Sequence, residues 1–230
     1  AVAPAELAGL ELVGFTRAKV APMVQGLFPA REVQTVLDVL ARSVVFLTPA
    51  TIAEVLRQTP WLGTVWDLAN LYLVSCGTAA LSKDARLIVG LSAETMCFVT
   101  SEYFSAQDRF DDFVVHEAAH IFHNCKRSTI GLRGTARREW LLAIAYQKRE
   151  TFAYSCETYS RILELAKGSA ARRDLLKEVE AGPMPPDDRV DAQEYLDILR
   201  EAVEAGNGWK RILRRCAATK AQRGRAIGDP

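Results

Sequence analysis

The chain has 230 residues, with 29 Lys and Arg against 28 Asp and Glu, a formal charge of +1 and 49% hydrophobic residues. That suits one compact domain with trimmings, and it excludes wholesale disorder and a globally basic nucleic-acid binder. Five scattered cysteines without a Cys-x-x-Cys pair argue for a reducing, cytoplasmic setting, and no apolar run or leader pattern predicts a membrane span or signal peptide.

The first forty residues read as helix, with Val33, Val36, Leu37 and Leu40 on one apolar face of residues 31–43. Residues 43–48 (SVVFLT) predict a short buried strand that Pro49 stops. Thr51 and Glu54 spell a capping box for a following helix. Residues 60–82 predict helix and then loop. Two further strand candidates, 86–91 (RLIVGL) and 95–101 (TMCFVTS), are spaced to pair as a hairpin. From Ser105 the period becomes helical, with Asp108, Asp111 and Asp112 in the early turns. A loop over 125–138 is expected to end this helix, and residues 139–168 to form one long helix. GPMPPDD (182–188) is a turn or linker, and a last amphipathic helix ends at Gly206-Asn207-Gly208. The expected organisation is a domain over 1–181, a linker and packed helix over 182–208, and a basic tail over 209–230. That tail carries Lys210, Arg211, Arg214, Arg215, Lys220, Arg223 and Arg225 against Asp229, a charge of +6 on a body of −5. It reads as a solvated helix and terminus, or as an arm for nucleic acid or a protein partner.

All three histidines fall between positions 116 and 123. Residues 116–120, HEAAH, match His-Glu-x-x-His, which on a helix brings two imidazoles to one face, one turn apart. Imidazole nitrogens suit Zn²⁺, and Glu117 between them is placed to take a proton from a water at the ion. His123 sits roughly 10 Å along the axis from His116, which favours a cleft-lining role over ligation. Carboxylates are therefore the candidates for a third ligand. Glu150 is favoured, because Tyr146, Ala153 and Tyr154 share its face and a buried carboxylate needs a partner or a metal. Glu139 and Glu157, on the same helical face, are alternatives.

HEAAH followed some thirty residues later by RETFAYSCE resembles the gluzincin type of zincin metallopeptidase. The closest likeness is to small one-domain gluzincins such as the intracellular bacterial ImmA/IrrE type. The resemblance covers residues 105–160. It implies an α+β, predominantly helical, zincin-like fold with a small sheet beside the motif helix. It further implies His116, His120 and Glu150 as zinc ligands and Glu117 as the base. Tyr154, Tyr146 and His123 are unranked candidates for oxyanion or cleft roles. The implied activity is hydrolysis of a peptide or protein substrate, with strand 95–101 placed to receive an extended chain. The competing reading is a non-enzymatic regulatory or binding module with a structural or vestigial zinc site and a basic tail that recruits nucleic acid or a protein partner.

Overall fold

The computed structural model describes residues 11–85, 90–93, 95–105, 108–135 and 138–218. The chain begins with a helical hairpin, α1 (Leu12–Leu27) and α2 (Ala30–Ser43), broken where Pro29 bars Phe28 from helical geometry. Strand β1 (Val44–Leu47) follows, then α3 (Ile52–Gln58) and α4 (Leu62–Ser75). The expected capping box does not form. The Thr51 hydroxyl turns back to donate to the Phe46 carbonyl at 2.7 Å and to accept from the Thr48 amide at 2.9 Å.

Strands β2 (Gly90–Ala93) and β3 (Met96–Thr100) pair as the expected antiparallel hairpin; residues 86–89 of the first candidate lie outside the described residues. Strand β1 joins the other side of β3 in parallel, giving the order β1-β3-β2. Strand 95–101 is therefore central and has no free edge for a peptide; the edge strand beside the site is β2. Alternation along the strands sorts side chains to two faces. Val44, Phe46, Cys97 and Val99 join the main core, whereas Leu47 and Phe98 join a small cluster with Leu68 and Leu71 of α4.

The motif helix, α5 (Phe113–Asn124), starts later than Ser105, which ends a 3₁₀ turn. Its cap is Asp112, whose carboxylate accepts from the Val115 amide at 3.2 Å and pairs with Lys19 at 3.1 Å. Val114, Val115, Ala118, Ala119, Ile121 and Phe122 are fully buried, so α5 is the axis of the core.

The long helix expected over 139–168 begins only at α6 (Arg149–Leu165). The residues before it are drawn out by partners distant in sequence. The Leu141 and Leu142 amides donate to the Cys125 and Phe122 carbonyls at 3.0 and 2.8 Å, satisfying the C-terminal end of α5. Ala145 donates to the Cys216 carbonyl at 2.9 Å, and Ala218 donates to the Ala143 carbonyl at 2.9 Å. A 3₁₀ turn over Tyr146–Lys148 then leads into α6.

Helices α7 (Ser169–Ala181), α8 (Ala192–Glu204) and α9 (Gly208–Cys216) complete the fold. Helix α8 stops just short of Gly206-Asn207-Gly208, as expected, and Asn207 also caps α9 by accepting from the Lys210 amide. Trp209, Ile212 and Cys216 of α9 are buried in the main core, and Arg215 pairs with Glu201 at 2.5 Å. The expected basic tail is thus packed helix over this stretch, while Lys220, Arg223 and Arg225 lie outside the described residues. The architecture is α+β and predominantly helical, and no helix among the described residues is long and apolar enough to cross a membrane.

Candidate metal centre

Helices α5 and α6 meet along a face where Ala153 is fully buried, and the first turn of α6 sets Glu150 over the two motif histidines. The Nε2 atoms of His116 and His120 stand 3.2 Å apart. Glu150 Oε2 lies 3.4 Å from His120 Nε2 and 3.8 Å from His116 Nε2. Zinc bonds of about 2.0–2.1 Å in tetrahedral geometry require ligand atoms about 3.3–3.4 Å apart, so the triangle fits one such ion. Two imidazoles and one carboxylate are also the donor chemistry of a site that keeps a fourth position open. Among the described residues this is the cluster of His, Cys, Asp or Glu side chains spaced to hold a metal ion.

Glu139 takes no part. It is exposed on the extended segment and pairs with Lys126 at 2.7 Å. Glu157 serves differently: its Oε2 accepts from His116 Nδ1 at 3.0 Å, and its Oε1 from the Asp112 amide at 2.6 Å. The buried carboxylate thereby holds the His116 proton on Nδ1 and leaves Nε2 facing Glu150. On His120 the equivalent partner is His123, with His120 Nδ1 and His123 Nε2 3.4 Å apart. Burial, with the nearby His120 and Arg149, pushes His123 down to about 2, so its ring is neutral and can accept.

Glu150 is steadied from its other side by Arg189, whose guanidinium meets Oε1 at 3.1 Å while also pairing with Asp187. Burial opposes charge on both Glu150 and His116, yet their mutual contact prevails. Glu150 stays well below the usual carboxylate range, and His116, bonded to Glu150 and Glu157, is lifted to about 10.

Glu117 is buried beside the pair, against strand β2. A Cβ at Gly90 would stand 2.6 Å from Glu117 Oε1, so only glycine lets the β2 backbone approach this carboxylate. The site opens on a cleft of about 1460 Å³ bordered by β2, the first turn of α6 and the 182–189 loop. Tyr154 packs its ring on His116 at 4.5 Å between centroids, whereas Tyr146 stands at the rim, 76% exposed. Burial and the surrounding carboxylates raise Tyr154, so its phenol stays protonated.

Sequence reasoning named His116, Glu117, His120 and Glu150, and the fold gathers all four. It missed the roles of Glu157, Gly90 and Arg189. Glu157 falls seven residues after Glu150, the spacing of one helix face, and that was the signal available. Gly90 and Arg189 come from distant segments and carried none. No protein-family model matches the chain, and neither a curated protein nor a solved structure matches it significantly.

Proposed function

We propose that this chain is a zinc-dependent peptidase with a zincin-like arrangement, in which His116, His120 and Glu150 hold the ion. The observation that carries the reading is the convergence of two imidazole nitrogens and a carboxylate oxygen at zinc-ligand spacing, with Glu117 beside them in an open cleft. A bound zinc ion would polarise a substrate carbonyl and acidify a water molecule.

The chain's own residues supply the rest. Glu117 takes the proton from the attacking water and passes it to the leaving amine. Glu157 and His123 fix the two imidazoles so that both Nε2 atoms point to one place. Arg189 occupies Glu150 Oε1 and keeps Oε2 for the ion. Tyr154, protonated and lining the cleft, donates a hydrogen bond to the oxygen on which negative charge grows. Tyr146 is too exposed for this, and His123 is engaged with His120. Four buried cysteines and exposed Cys76, all unpaired, support a reducing compartment.

The test is zinc content beside hydrolysis of unstructured peptides. Glu150→Ala is expected to lose the metal, while Glu139→Ala keeps it. Glu117→Gln is expected to retain zinc and lose activity by about 10²–10⁴-fold. Undiminished hydrolysis by zinc-loaded Glu117→Gln would refute the mechanism.

A further inference from the structure

Three guanidinium groups border the cleft. Arg109 is paired with Glu178 at 2.9 Å, and Arg189 with Asp187 and Glu150. Arg149 is different. Among the described residues its guanidinium forms no ion pair or hydrogen bond, and its Nε is buried without an acceptor. Its guanidinium lies 5.1 Å from the centre of the Tyr146 ring, the large aromatic exposed at the rim. Glu150 next to it is already committed, one oxygen to Arg189 and the other to the two histidines.

A half-buried cation gives up hydration that only an anionic acceptor restores in full. Stacking on an aromatic ring holds a guanidinium plane in one orientation, and its fork of donors matches the two oxygens of a carboxylate. In a cleft that takes peptides, such an oxygen pair comes from an acidic side chain or from a free C-terminus.

We propose that Arg149, backed by Tyr146, is a subsite for a carboxylate of the bound peptide, set beside Glu150 at the metal centre. The inference rests on the peptidase reading, and it makes that reading selective: substrates carry a negative group close to the bond that is cut.

The experiment uses the full chain, zinc-loaded and carrying Glu117→Gln so that peptides bind uncut. The probes are N-acetylated peptide pools, randomised over uncharged residues. They are identical except that one fixed position is Glu or Gln and the C-terminus is free or amidated. Dissociation constants are read by fluorescence anisotropy, with zinc content measured on each sample as a check of folding. The carboxylate-bearing pools are expected to bind about tenfold tighter than the neutral amidated pool or better. Whether the side chain or the terminus gives the gain identifies the source. Adding Arg149→Gln should collapse the ratio to near one, Arg149→Lys should retain part of it, and salt should narrow it.

Equal binding of all pools, no binding of any, or a ratio that survives Arg149→Gln overturns the subsite. Hydrolysis by the wild-type chain separates the two claims. If it cuts every pool with equal kcat/KM, the subsite falls and the peptidase stands. If it cuts none of the pools that the Glu117→Gln protein holds through Arg149, the peptidase reading falls and a carboxylate-binding cleft remains.

Discussion

On one face of the sheet, α5 buries every residue from Val114 to His123. On the other, α4 leaves Trp61, at its cap, and Leu62 and Trp66 exposed over the small cluster around Leu68 and Phe98. Both faces carry apolar side chains, yet one is enclosed by helices from across the chain and the other by a thin hairpin, α3 and α4. Imidazoles and carboxylates keep a fixed geometry only where packing removes their alternatives, and the His116–His120–Glu150 cluster lies on the enclosed side.

Core truncation measures that contrast most strongly. Phe152→Ala removes a fully buried ring packed on Phe122 and is expected to cost about 3–5 kcal/mol in urea unfolding. Leu68→Ala, in the small cluster, should cost about 2 kcal/mol, because beyond Leu47, Leu71 and Phe98 the surrounding side chains are only partly buried and free to close the gap. Equal costs would erase the distinction between the faces.

Gly90→Ala probes where the enclosed face meets the edge strand. The new methyl must displace the Glu117 carboxylate, so kcat is expected to fall about 10²-fold with zinc content unchanged.

Glu157→Gln tests the support behind His116 and should weaken zinc binding about 10–100-fold. The same site has a pH signature. In the metal-free protein His116 is raised to about 10 by Glu150 and Glu157 against the opposing effect of burial. Below that pH the free form holds a proton that the zinc form lacks. Zinc affinity therefore rises with pH up to about 10, and calorimetry in buffers of different ionisation enthalpy should detect the released proton. Glu157→Gln should reduce that release.

The smallest effect is expected at the exposed hairpin. Leu62→Ser should change stability by no more than about 0.5 kcal/mol and leave zinc binding unaltered.

Much of this was legible in the sequence where the information is local. Helical spacing located the α2 face, and the β-branched run located β1. The spacing of His116 and His120 predicted two rings converging. Glu150 was found through a helix begun ten residues too early, because its apolar neighbours Ala153 and Tyr154 follow it within the true helix. Local pattern failed wherever a distant partner decided the outcome. Residues 139–148 have no Pro or Gly to break a helix, and only the Phe122, Cys125 and Cys216 carbonyls reveal why their amides are engaged elsewhere. Glu157 stood as an alternative third ligand because spacing reports which face a residue shares, not which atom it meets.

The extended run before α6 has a consequence for the order in which the protein becomes competent. Glu150 enters the metal centre from a segment laced to residues 216–218, about seventy positions onward. Ribosomes deliver the histidines first and that lace much later. A nascent chain therefore carries both imidazoles well before the brace for Glu150 exists, and the complete His116–His120–Glu150 triangle is among the last features this fold acquires.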